Sequence, residues 1–305
     1  MALDPAARAL LDLMDELGLP EVGTLSPVET RTAFQALRDP DIVLADVAKA
    51  VDKNIEGVPC RIYTPGGDGP FGLLIWYHGG GWVIGSMDET DPVAREMCHR
   101  SGCMVVNVDY RLAPEHRFPA GVDDAIAVAR WVKEHASELG ADPARIAVGG
   151  DSAGGNLAAI AAQQVPGLTY QVLVYPSVDM SMTHPSIDEN AEGYLLTKHS
   201  MLWFRGHYLG DDHGLDYRDP KLSPLFAADD VIAGLPPALV LTAGYDPLRD
   251  EGQAYATRLE QAGVAVERVH FPDQIHAFFT LYTAIPAGEE AIDAAMAALA
   301  KALAV

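Results

Sequence analysis

Positive charge is what this sequence most lacks. Of its 305 residues only 21 are Lys or Arg, six of them Lys, against 43 Asp or Glu, which leaves a formal charge of −22. Such a surplus repels phosphate backbones and anionic headgroups, so neither nucleic acid nor a charged membrane surface is an expected partner. The acidic excess fits either a well-solvated surface or adaptation to salt. Cysteine is scarce as well. Cys60, Cys98 and Cys103 form an odd set in a long chain, which suits reduced thiols rather than a disulfide framework. The histidines are scattered, without a His-Glu-x-x-His zinc pattern, and the glycine-rich stretch after Tyr77 reads as neither Gly-x-x-x-x-Gly-Lys nor Gly-x-Gly-x-x-Gly. No metal site is therefore expected. No stretch of about 18 apolar residues offers a membrane span, so integral membrane association is not expected. Residues Met1 to Pro5 lack the basic start and apolar core of a secretory signal, and a cytoplasmic location is the expectation.

What is abundant is a core. The chain is 49% hydrophobic, enough for one large domain with a cap. Leu10, Leu13, Met14 and Leu17 recur at helical spacing, so an amphipathic helix opens the chain over residues 6 to 17. Runs at Ala45 to Asp52 and Val58 to Tyr63 flank a turn and read as an antiparallel hairpin. Strand-like and helix-like segments then alternate: Phe71 to Tyr77, Pro92 to Arg100, Cys103 to Val108, Val122 to Glu138, Arg145 to Gly149. That alternation predicts an α/β protein with a mostly parallel, helix-covered sheet. It breaks between Pro176 and Pro236, where Tyr194, Leu195, Leu196, Trp203, Phe204, Tyr208 and Leu209 stand among polar residues with no strand pattern. With the N-terminal helix, this insertion reads as a mobile cap over the site. Each of those aromatics could be ordinary helix packing or a pocket wall.

Residues 150 to 154 read Gly-Asp-Ser-Ala-Gly, after the short apolar run Arg145 to Gly149 and before the small-residue helix that starts at Ala153. Strand, sharp turn and helix in this order form a nucleophile elbow, with Ser152 exposed on a strained turn. Upstream, the strand ending at Tyr77 runs into His78-Gly79-Gly80-Gly81-Trp82. Acyl transfer develops an oxyanion, and backbone amides of a glycine turn can hold it; the expected donors are Gly80, Gly81 and Ala153. A serine hydroxyl needs an imidazole as base and a carboxylate to orient that base. Chain order leaves His276, in a loop after the strand Val264 to Phe271, with His270 as the alternative. The acid is Asp246 or Asp250, both following the strand Leu239 to Gly244, with Pro247 expected to open a helix. Asp246 could equally serve only as that helix's cap. Glu115 and His116 precede the nucleophile and read as a carboxylate anchoring nearby loops.

Taken together, His78 to Trp82, Tyr110-Arg111-Leu112-Ala113-Pro114-Glu115-His116, Gly150 to Asn156, Asp246 to Asp250 and Ile275-His276-Ala277-Phe278 resemble the hormone-sensitive lipase-like carboxylesterases (bacterial family IV) of the α/β-hydrolase superfamily. The resemblance implies an α/β-hydrolase fold with a mostly parallel eight-stranded sheet flanked by helices and a helical cap. It also implies the triad Ser152, Asp246 and His276, no cofactor, and hydrolysis of short- to medium-chain acyl esters by a monomer or homodimer. The domain division expected is N-terminal cap helices over 1–45, a catalytic part over 46–180, a cap insertion over 181–232 and a second catalytic part over 233–305. Trp82, Tyr194, Leu195, Trp203, Phe204 and Phe278 are the expected substrate pocket. Two positions depart from the family pattern: Ala277 stands where glycine is usual, which strains the loop if that site needs positive φ, and Arg117 stands where proline is common. A ligand-binding role on the same scaffold, as in the gibberellin receptors, is the rival reading. Those proteins lack the catalytic histidine, and His276 is present here.

Overall fold

The computed structural model describes residues 2–36, 41–211 and 214–304, so small parts of the expected 1–45 and 181–232 cap segments lie outside the described residues. Two helices, α1 (Pro5–Glu16) and α2 (Pro27–Ala36), precede the sheet. Then come β1 (Lys49–Ile55), β2 (Val58–Thr64), β3 (Phe71–Tyr77), α3 (Asp91–Ser101), β4 (Met104–Val108), α4 (Ala120–Leu139), β5 (Ala141–Asp151), α5 (Ala153–Gln164) and β6 (Tyr170–Val174). The insertion follows with α6 (Ser186–Glu189), α7 (Lys198–Leu209) and α8 (Asp229–Ala233), and the chain ends with β7 (Ala238–Tyr245), α9 (Arg249–Gln261), β8 (Val266–Ile275) and α10 (Ala287–Ala302).

The eight strands form one sheet in the order β1-β2-β4-β3-β5-β6-β7-β8. β1 and β2 are an antiparallel hairpin, closed by Glu56 and Gly57 at positive φ, and β2 meets β4 antiparallel. From β4 to β8 every pairing is parallel. Central strands such as β4 are buried along their whole length, because helices cover both faces. Side chains on β3 alternate accordingly: Leu73, Ile75 and Tyr77 enter the core under α4, α5 and α9, while Leu74 and Trp76 enter the core under α3 and α10.

Two corrections to the sequence reading concern boundaries. The first strand begins at Lys49 rather than Ala45, and α9 begins at Arg249, so Pro247 lies in the turn before the helix instead of opening it. The Asp246 carboxylate accepts the amide of Leu248 at 2.8 Å, and this side-chain turn delays the helix by two residues.

Among the described residues, the segment between β6 and β7 carries helices and no strand, and it meets the N-terminal segment. Thr197 Oγ1 donates to Glu21 at 2.6 Å, and a Cβ on Gly23 would fall 2.8 Å from the His199 ring. α1 is seated separately, with Ala7 buried in the core that also holds Phe278, Tyr175 and Ile275, and with the Asp4 amide donating to the Asp273 carbonyl.

Candidate active site

β5 delivers its last residue, Asp151, to the carboxyl edge of the sheet, where Ser152 adopts φ 56°, a conformation L-residues rarely hold. Close packing enforces the turn. A Cβ on Gly154 would lie 1.8 Å from the Tyr77 carbonyl oxygen, so only glycine lets α5 start directly against β3. The Ser152 amide donates to Val174, and its carbonyl accepts from Asn156 and Ser177, which holds the serine between β6 and α5.

His276 follows the last residue of β8, and its Nε2 lies 2.9 Å from Ser152 Oγ. Nδ1 is 2.8 Å from Oδ2 of Asp246, a fully buried carboxylate. A carboxylate only accepts, so Nδ1 carries the proton and Nε2 is free to accept from the serine. Asp246 keeps both oxygens occupied, Oδ1 on the Leu248 amide and Oδ2 on the imidazole. The alternatives lie elsewhere: Asp250 is bound to Ser186 and Arg249, and His270 faces Thr242 Oγ1 at 2.9 Å. The His276 ring is backed by Tyr175, with centroids 4.5 Å apart.

The glycine turn after β3 stands beside this group. Gly80, Gly81 and Trp82 all have positive φ, and the Gly80 carbonyl accepts the amides of Val83 and Ile84. Among the described residues, nothing accepts the amides of Gly80, Gly81 or Ala153. Behind the turn, Asp151 Oδ1 accepts the Gly79 amide at 3.0 Å. Burial pushes the Asp151 carboxyl up to about 6. Burial also lowers the His78 imidazole, which stays neutral, stacks on Tyr110 at 4.5 Å and lies with Nδ1 2.7 Å from the Gly79 carbonyl.

The expected pocket residues divide into groups. Phe204 of α7 stands on the glycine turn, its ring 2.3 Å from where a Cβ of Gly81 would be. Trp82 is buried and stacked on Tyr208 of α7 at 4.5 Å and 6°. Trp203 packs edge-on against Phe204 and His207, and Tyr194, half-buried, faces Tyr245 while half-buried Leu195 borders the α10-side core. Phe278 is a correction: it has no exposed surface and is sealed between Tyr175 and Phe271, so it is core rather than pocket wall. Glu115 does anchor loops, through a two-pronged ion pair with Arg31.

Sequence reasoning missed three residues: Asp151 as the holder of the Gly79 amide, Tyr175 behind the histidine, and Arg31. Only Asp151 carried a signal, a charge at the end of an apolar strand.

Comparison with known proteins agrees with this architecture. A family model described as the alpha/beta hydrolase fold matches residues 74–280. The chain is 40% identical to the carboxylic ester hydrolase LipN of Mycobacterium tuberculosis, covering 92% of this chain and 78% of that protein. It is 36% identical to an ethyl acetate hydrolase of Pseudomonas putida, covering 96% of each. Among solved structures, the ester-hydrolase EH1AB1 from the metagenome of Lake Arreo, complexed with a derivative of bipyridine phosphonate, superposes with a TM-score of 0.94 at 43% identity, covering 99% of this chain and 100% of that one.

Proposed function

Because the chain belongs to the hormone-sensitive lipase-like carboxylesterases of the α/β-hydrolase superfamily, we propose that it hydrolyses short- to medium-chain acyl esters through an acyl-enzyme on Ser152. The observation that carries this reading is the continuous hydrogen-bonded line Ser152 Oγ, His276 Nε2, His276 Nδ1, Asp246 Oδ2, with links of 2.9 and 2.8 Å.

His276 takes the serine proton as Oγ attacks the ester carbonyl. Charge collects on the carbonyl oxygen, and the unpartnered amides of Gly80, Gly81 and Ala153 receive it. His276 then gives the proton to the leaving alcohol. Water, deprotonated by the same imidazole, attacks the acyl carbonyl, and the acid departs as Ser152 regains its proton. Asp246 holds the tautomer throughout and stabilises the imidazolium. The pocket proposed around the ester is lined by Trp82, Tyr194, Leu195, Trp203 and Phe204, under a cap made of residues 1–45 and 181–232 with the catalytic domain over 46–180 and 233–305. The short-chain preference is supported by Phe204, which closes one side of the glycine turn.

Hydrolysis of p-nitrophenyl esters from acetyl to palmitoyl tests the reading. The wild-type rate should peak at short or medium chains, and Ser152→Ala should lower kcat by about 10⁶. Undiminished turnover by the Ser152→Ala protein would refute it.

A further inference from the structure

The oxyanion turn is held from outside the hydrolase core. Arg31 belongs to α2, in the segment that precedes the sheet, and its side chain is three-quarters covered. Its guanidinium makes four hydrogen bonds. Nε donates to the Val83 carbonyl at 2.7 Å, Nη2 to the Ala113 carbonyl at 2.7 Å, and Nη1 and Nη2 to the two oxygens of Glu115 at 2.8 Å each. Val83 is the residue whose amide closes the turn onto the Gly80 carbonyl, and Ala113 donates its own amide to the Trp82 carbonyl. One planar fork therefore holds the exit of the stretch Gly80 to Trp82 through two carbonyls.

We propose that Arg31 is a positioning residue for the oxyanion donors, so that the segment before the sheet helps to set the turn that receives the developing charge. This role rests on the esterase reading. Gly80 and Gly81 take positive φ freely, but Trp82 at φ 61° is in a conformation costly for an L-residue, and such a turn persists only where its surroundings over-determine it. The Gly81 amide shares its peptide with the Gly80 carbonyl, which is held by the amides of Val83 and Ile84, and Val83 is in turn held through its own carbonyl by Arg31. Without Arg31, the Val83 and Ala113 carbonyls lose their shared donor, and the turn can relax by fractions of an ångström. A misplacement of about 1 Å costs on the order of 100-fold in rate. Donors aimed at a developing charge matter in the transition state more than in the ground state, so the loss should fall on kcat rather than KM. Lysine cannot replace the fork, since a single ammonium does not span two carbonyls and a carboxylate in one plane.

The test uses the full chain with Arg31→Met, Arg31→Lys and Glu115→Gln. Rates on p-nitrophenyl acetate are normalised to active sites, and the affinity of an aryl trifluoromethyl ketone, which forms an oxyanion on the serine, is measured beside that of a carboxylate product inhibitor. Arg31→Met and Arg31→Lys should lower kcat by roughly 10- to 100-fold with KM little changed, and ketone affinity should fall in proportion while product affinity holds. Glu115→Gln leaves both carbonyl contacts in place, so its kcat should stay within about threefold of wild type. Unchanged kcat per active site in either Arg31 variant would overturn the proposal, even if melting temperature fell. If Arg31→Met does not fold, Arg31→Lys alone decides between these outcomes. A wild-type protein inactive on every ester would instead remove the esterase reading, and this role with it.

Discussion

Ala277 follows the histidine at φ 68°, where the related esterases usually place glycine. Its carbonyl accepts the amides of Thr280 and Leu281, so the turn after His276 is closed by hydrogen bonds in spite of the strain. Left-handed backbone costs an L-residue about 1 to 2 kcal/mol, part of which glycine returns through a freer unfolded chain. Ala277→Gly should therefore stabilise the fold by about 0.5 to 1 kcal/mol, read as a raised midpoint in urea unfolding. A lowered midpoint would mean that the turn carries no strain. Asp151 makes a second residue-scale prediction. Its folded value of about 6 lies above the ordinary 3.8, so its contribution to stability is full below the ordinary value and is lost as pH rises through 6. Asp151→Asn keeps an acceptor for the Gly79 amide and carries no charge. Its stability relative to wild type should rise by about 2 to 3 kcal/mol between about pH 4 and about pH 7.5, and thermal unfolding at the two pH values measures it. A difference independent of pH would contradict a buried, costly ionisation.

At the scale of elements, α7 reaches the glycine turn of the proposed active site, through Phe204 on Gly81 and Tyr208 on Trp82. Phe204→Ala removes the ring without touching Ser152, His276 or Asp246. The rate on octanoyl relative to acetyl p-nitrophenyl ester should rise by about 10-fold, the equivalent of 1 to 2 kcal/mol of pocket contact; an unaltered profile would show that the acyl group lies elsewhere. The contribution of α7 also marks how far the sequence could be read. The elbow, the glycine turn and the parallel strands were legible because each is a local pattern whose chemistry sits within a few residues. Spacing alone left Asp246 and Asp250 both open, and only the family resemblance singled out Asp246; in the structure the Asp250 carboxylate turns toward α6 while that of Asp246 faces His276 after β8. Phe278 looked like a pocket residue from its place beside the histidine, but the αL turn at Ala277 sends it down into the core. Arg31 had no local signal at all, because its partners lie 52 and more positions away.

The molecule as a whole combines an eight-stranded sheet, helices on both faces and a helical insertion over the carboxyl edge of the strands. Crossover connections put Asp151 at the end of β5, Asp246 after β7 and His276 after β8 on that same edge, so residues 95 and 125 positions from Asp151 converge without any contact between them in sequence. Cys60, Cys98 and Cys103 are all free and buried, so no disulfide among them braces this arrangement. No described helix is long and apolar enough to cross a membrane. The central claim is that this converged edge forms a covalent acyl-enzyme on Ser152. It is tested most directly by treating the protein with a p-nitrophenyl alkylphosphonate and locating the adduct by peptide mass spectrometry. The account predicts one phosphonyl group per chain, attached to Ser152, with loss of esterase activity in step and no labelling of Ser152→Ala. An adduct on another residue, or full activity after Ser152 is labelled, would contradict it.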